Sequence, residues 1–182
     1  MESHIKIVPI DQIPKANPCP MDDLINLYKT CLSLEKLCEK ESGIGLSAVQ
    51  VGIPWDLFVI KFGVLTGGPS DSSKEKDQTY YRYFLNCKYD PIDNDKEKSL
   101  EGCLSLRTKD GKLRHFEVER YKHIRVIGSE LVSREDGLKV IDFAYNPDES
   151  DYYKIVFQHE SDHSLGILIN QIGKEYQIWT NF

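Results

Sequence analysis

The segment Gln158-His159-Glu160-Ser161-Asp162-His163 constrains this chain more than any other, because it reads H-E-x-x-H within a stretch of helical character. On a helix, side chains four residues apart lie one above the other, so His159 and His163 can offer two imidazoles to one metal ion. Glu160 then flanks that ion without having to bind it, placed to move protons for a water held there.

The neighbouring residues predict the helix independently. Asn146, Pro147 and Glu149 fit an N-cap, a first-turn proline and an N3 acid that reaches back to the cap amide. Tyr152, Ile155, Val156, His159 and His163 share one stripe, and Gly166 suits a helix terminator. The histidines therefore point inward with the apolar residues. The five-residue pattern alone leaves two readings open, a metal site and a pair of hydrogen-bonded core histidines.

A catalytic metal site generally uses three protein ligands and keeps one position open. Only residues 164–182 follow His163, and Ile169 stands where an extended H-E-x-x-H-x-x-G-x-x-H pattern would place a third histidine. Glu175 follows too closely to serve as the distant glutamate ligand of another protease class. A third ligand is therefore expected upstream, and cysteine is the residue type to find there.

At 182 residues and 40% hydrophobic composition, the chain fits a single domain over 1–182 that buries roughly two-thirds of its unfolded surface. A net charge of −6, with no arginine before Arg82, argues against a nucleic-acid surface. Met1 to Val8 contains no apolar run of signal-peptide length, its acid and lack of arginine do not fit a transit peptide, and no stretch approaches membrane-spanning length. A cytoplasmic location is expected. Five cysteines, an odd number, argue for reduced thiols rather than a disulfide framework.

Leu24, Leu27, Tyr28, Cys31, Leu34 and Leu37 or Cys38 recur at helical spacing and predict a long first helix packed on a sheet. The run Gly43-Ile44-Gly45-Leu46-Ser47-Ala48-Val49-Gln50 lacks the lysine of a phosphate loop, and its glycines suggest either a tight turn or backbone that something approaches closely. Leu57 to Ile60 and Tyr80 to Asn86 read as strands, residues 63–79 as a polar surface loop, and Asp90 to Ser99 as a charged turn. Phe116 to Tyr121, His123 to Leu131 and Leu138 to Phe143 alternate as antiparallel strands. His4, His115 and His123 have no metal-spaced or acid-base partners in the sequence. Between these strands Glu101-Gly102-Cys103-Leu104-Ser105 supplies the upstream cysteine; a thiolate facing a cation would be fully deprotonated, although an isolated cysteine is more often buried filler.

Taken together, the Gly43–Gln50, Glu101–Ser105 and Gln158–His163 stretches resemble one family, peptide deformylase, in motif, order and rough spacing. The resemblance implies an α+β fold of antiparallel sheets around a central H-E-x-x-H helix, with a long N-terminal helix alongside. It implies that Cys103, His159 and His163 hold one divalent metal ion. Ferrous iron is the expected ion, with zinc, nickel or cobalt as replacements. The implied reaction is hydrolysis of the N-formyl group from the formylmethionine of nascent chains, releasing formate.

In that reading Glu160 is the proton carrier, and the Gln50 amide with the Leu104 backbone N–H stabilises the oxyanion. Substrate backbone would add alongside Gly43, Ile44, Gly45 and Leu46 and near Gly102, in the manner of an extended strand. Ile44, Ile155 and Val156 are candidates for the methionine pocket, and lining by Glu101 is implied by the family alone. Arg120 and Asp162 match family positions and are read as supporting residues. Ser47 and Val49 depart from the Ala and Pro common in the family, the 63–79 loop is longer than in most members, and the charged C-terminal helix of many bacterial members is absent.

Formylmethionyl peptides are thus the expected partners. The acidic surface suggests a contact with the basic ribosome exit, and a monomer in the cytoplasm of a bacterium, or of a host if the gene is viral, is expected. Two rival classes are an H-E-x-x-H metallopeptidase cutting internal bonds, which should supply a downstream ligand, and a decayed deformylase fold kept as a binding module, which should have lost Glu160, Gln50 or a ligand. Neither loss nor downstream ligand is present in the sequence.

Overall fold

The computed structural model describes residues 5–63, 79–148 and 151–176. Its elements are laid out by hydrophobic periodicity. Helix α1, Leu24–Lys40, buries Leu27, Cys31, Leu34, Leu37 and Cys38 along one stripe, and Asp23 caps it by accepting the Asn26 N–H at 2.9 Å. Strand β1, Gly45–Ser47, runs into a short 3-10 turn, Ala48–Val51, closed by Gly52 at φ 81°. Glycine tolerates that left-handed angle at no steric cost.

The remaining elements are β2, Leu57–Phe62; β3, Tyr80–Pro91; β4, Lys96–Arg107; β5, Leu113–Tyr121; β6, Ile124–Arg134; β7, Gly137–Tyr145; α2, Tyr153–Ser164; α3, Ile169–Ile172; and β8, Lys174–Tyr176. Antiparallel pairing makes a five-stranded sheet in the order β1-β2-β3-β6-β7 and a three-stranded sheet in the order β4-β5-β8.

Leu57 to Ile60 is uninterruptedly apolar because helices cover both faces of β2. Leu57 and Val59 join the core beneath α1, while Phe58 and Ile60 pack with Val156 and Phe157 of α2. A half-exposed strand would alternate; one buried on both faces does not. On its other flank α2 is tied to β5: Gln158 accepts the Tyr121 N–H at 2.9 Å and donates to the Tyr121 carbonyl at 3.0 Å. The H-E-x-x-H helix therefore sits between the two sheets, which is the α+β arrangement the sequence suggests.

Two boundaries and one partner differ from expectation. Helix α2 begins at Tyr153, not near Asn146; its first turn is capped by Asp151, which accepts the Tyr153 N–H at 2.9 Å, and Glu149 lies outside the described residues. The segment Asp90 to Ser99 is a turn only over 92–95, because β4 starts at Lys96; there Lys98 faces outward and reaches Glu117 at 2.7 Å across the ladder, while Glu97 pairs with the buried Lys154 at 2.8 Å. His123 does have a partner, Asp93 at 2.7 Å. At the other end of α2 the expectation holds: Gly166, at φ 76°, closes the helix with its N–H on the His163 carbonyl. Residues 64–78 of the long polar loop and His4 lie outside the described residues.

Candidate metal centre and substrate cleft

Cys103 from β4 and His159 and His163 from α2 bring their ligand atoms within 4.8 Å of one another. Cys103 Sγ stands 3.5 Å from His163 Nε2, and the two imidazoles meet at 88° with centroids 4.8 Å apart. β4 can deliver the cysteine because its register with β5 shifts between Gly102 and Arg107, releasing residues 103–106 from regular pairing.

The residues fit a divalent ion. His159 donates Nδ1–H to Glu101 Oε2 at 2.8 Å, which leaves Nε2 free as a ligand, the usual carboxylate–histidine arrangement behind a metal. Burial, with the charges of His159 and Arg120, pushes His163 well below its ordinary pKa and keeps it in the neutral form that binds metals. Burial acts the same way on His159, but its bonds to Cys103 and Glu101 outweigh it and raise that pKa.

Behind the ligands lies a buried ionic chain. Arg120, 2% exposed, forks onto Glu101 at 2.7 and 2.8 Å and donates to Asp162 at 2.5 Å, and Tyr89 donates to the other Asp162 oxygen at 3.2 Å. Despite burial, the Arg120 guanidinium and His159 hold the Glu101 carboxyl down at about 2. His159 is thus oriented by a carboxylate that both arms of Arg120 hold in place. Glu101 was expected as a lining residue on resemblance alone; its bond to His159 gives it a second, physical role.

Glu160, next to His159 on α2, is 3% exposed, with Oε2 unpartnered among the described residues. Burial pushes its carboxyl up to about 7. Gln50, in the 3-10 turn, accepts the Ser47 N–H at 2.9 Å through Oε1 and turns Nε2 toward Ser105 Oγ at 2.9 Å and Cys103 Sγ at 3.5 Å. Its position is set by the fully buried Ser47, Ala48 and Val49 around it, so the Ser and Val departures leave the turn intact.

A cleft of about 280 Å³ joins these parts. Gly43, Ile44, Gly45, Gln50, Glu101, Gly102, Leu104, Ile155, Val156, His159 and Glu160 all line it. Cys103, His163 and Leu46 do not: the Leu46 side chain is wholly buried in the core under α1, and its backbone pairs with Val59 of β2. β1 is the edge of its sheet, and since Ile44 gives its carbonyl to Lys61 N–H at 2.8 Å, alternation turns the Gly45 backbone to the unpaired side.

Leu100, Leu113, His115 and Tyr152 also line the cleft and were not identified as site residues. His115 stands opposite Gly102 in the β4–β5 register, a cross-strand pairing that no motif announces. Tyr152 did fall on the predicted inward stripe, and lies 40% exposed at the cleft rim.

A family model for polypeptide deformylase matches residues 12–177. The chain is 30% identical over 145 residues to peptide deformylase 1 of Prochlorococcus marinus, covering 80% of this chain and 65% of that protein. It is 28% identical over 164 residues to the peptide deformylase of Bifidobacterium adolescentis, covering 88% and 64%. It therefore spans about two-thirds of the length of these curated relatives. Of solved structures, the peptide deformylase of Thermotoga maritima superposes with a TM-score of 0.65 at 27% identity, covering 93% of this chain and 97% of that one. A probable peptide deformylase from Synechococcus phage S-SSM7 gives 0.68 at 25% identity, covering 92% and 99%. With the match running through the helix, the cysteine strand and the glycine-rich edge alike, the chain belongs to the polypeptide deformylase family.

Proposed function

We propose that this protein removes the N-formyl group from the N-terminal formylmethionine of nascent peptides by hydrolysis, releasing formate. The observation that carries the reading is a Cys-His-His donor set whose His159 lines one cleft together with a buried carboxylate and an unpaired strand edge. The family is metal-dependent, and these donors suit ferrous iron as well as zinc, nickel or cobalt. Ferrous iron is the proposed native ion. When bound, such an ion supplies Lewis acidity and lowers the pKa of a coordinated water from 15.7 to about 7.

The chain's own residues do the rest. The extended peptide lies along the Gly45 edge and past Gly102, with Ile44, Ile155 and Val156 receiving the methionine side chain. Glu160 takes a proton from the attacking water and returns it to the departing amine, a task matched to a carboxyl poised near neutrality. The Gln50 Nε2–H and the Leu104 backbone N–H face the oxygen on which negative charge gathers. Glu101 and Arg120 keep His159 turned to the site. Residues 1–182 are proposed to act as one catalytic domain, monomeric and cytoplasmic, with salt-sensitive contact to the ribosome exit. No helix among the described residues is long and apolar enough to cross a membrane.

The test is formate release from a formyl-methionyl tripeptide by anaerobically prepared, iron-loaded protein, beside Glu160→Gln and an acetyl-methionyl substrate. Formate from the wild type and formyl substrate alone is expected. Silence of the metal-loaded wild type would reduce the protein to a binding module, and cleavage of internal peptide bonds would make it a peptidase.

A further inference from the structure

We propose that Ser105 is a positioning residue for Gln50, fixing the plane of its side-chain amide and thereby the direction of the one N–H left for the substrate. The inference rests on the reading of Gln50 as oxyanion donor and adds what aims it. A primary amide carries two N–H groups about 120° apart in one plane. A single hydrogen bond to its oxygen leaves the plane free to swing about that contact. A second one, at the nitrogen end, removes the freedom.

Gln50 has both. Its Oε1 is held by the Ser47 N–H at 2.9 Å, which decides which end of the amide is oxygen, since a flipped amide would set N–H against N–H. Its Nε2 donates to Ser105 Oγ at 2.9 Å, which consumes one proton and directs the other toward the Cys103 side, where Sγ lies 3.5 Å away. The hydroxyl alone would not discriminate between ends, because it both donates and accepts. The two contacts together define end and plane.

The placement of Ser105 follows from strand geometry. Cys103 and Ser105 are two residues apart on β4 and both side chains reach Gln50, at 3.5 and 2.9 Å, while Leu104 between them carries the backbone N–H proposed as the second oxyanion donor. The shifted register between Gly102 and Arg107 frees this short run from the ladder. One strand thus carries the ligand, one donor and the residue that aims the other donor. Ser105 also lines a surface groove with Leu37, Lys40 and Arg107.

The experiment compares metal-loaded wild type, Ser105→Ala and Ser105→Thr, each alone and in a Gln50→Ala background, with metal content measured throughout. Ser105→Ala should lower kcat by about tenfold to a hundredfold, the scale for a misplaced group, with KM and metal content unchanged. Ser105→Thr should restore the rate, and Ser105→Ala should cost nothing more once Gln50 is alanine. In 15N-labelled protein, the Gln50 side-chain amide protons should shift and exchange faster in Ser105→Ala. An equal loss in the Gln50→Ala background, or unmoved Gln50 amide signals, would overturn the proposal. Were the wild type to release no formate, the deformylase reading would fail while the amide signals still decided whether Ser105 holds Gln50.

Discussion

A methyl group on Gly45 would stand 2.4 Å from Oε1 of Glu160, so the open edge of β1 and the carboxylate of the H-E-x-x-H helix share one contact that only a hydrogen fits. The obstacle to alanine there is the carboxylate and not the backbone, because Gly45 lies outside the left-handed region. Gly45→Ala should therefore push Glu160 off its position. General acid–base groups contribute roughly 10²- to 10⁴-fold, and displacing this one should cost about 10²-fold in kcat. Steady-state kinetics with a thermal unfolding curve would check it; an undiminished kcat would mean that Glu160 does not act from where it lies.

Metal binding should be visible in stability as well as in activity. A cysteine sulfur and two imidazoles converge in a buried site, and a ligand that binds only the folded chain stabilises it by mass action, about 2.7 kcal/mol at a hundredfold excess over Kd. Chelation should lower Tm by several degrees, and adding back the ion should restore both Tm and formate release. Cys103→Ala should hold far less than one equivalent of metal by elemental analysis and show no Tm change with chelator. A chelator-insensitive Tm in the wild type would count against an intact three-ligand site.

The parts of the site legible in the sequence are those whose chemistry is local. His159 and His163 are one helical turn apart, Gly45 and Gln50 sit in one short run, and α1 announces itself by its apolar stripe. What is not legible comes from long-range pairing. His115 reaches the cleft only because the β4–β5 register sets it against Gly102, and Ser105 meets Gln50 across 55 residues of chain. The start of α2 misled for a different reason: Asn146 and Pro147 satisfy the local rules for a helix start, but β7 holds the chain extended to Tyr145, and Asp151 supplies the cap six residues before Phe157 packs into the core.

Asp56 offers a pH signature away from the ligands. Its carboxylate accepts from Ser164 Oγ at 2.6 Å, yet burial outweighs that bond and raises its pKa above the ordinary 3.8. A folded-state pKa above the unfolded one means that the folded chain binds the extra proton, so this group favours folding at low pH. That contribution fades as pH rises from 3.8 through the raised value. Asp56→Asn keeps an acceptor for Ser164 without a charge to desolvate. It should raise stability at pH 7 relative to wild type, and the advantage should shrink below pH 3.8, as followed by denaturant midpoints across that range. An advantage independent of pH would assign the effect to packing instead.

Arg120 is the residue on which the buried charges depend. It pairs with two carboxylates, Glu101 and Asp162, that are each 4% exposed, and the bond from His159 to Glu101 hangs on the same fork. Removing one partner of a buried ion pair costs about 3–5 kcal/mol, because the charge left behind has neither water nor counterion. Arg120→Met, which retains much of the volume, should fall in that range by denaturant unfolding. Metal affinity should also drop, by about 10- to 100-fold, since losing the support behind a ligating histidine has that cost. A triple change that also makes Glu101 and Asp162 into Gln and Asn should recover much of the stability but not the metal affinity, because the amides relieve the stranded charge without a carboxylate to accept from His159. Equal recovery of both would show that Arg120 supports the fold alone, and not the orientation of His159.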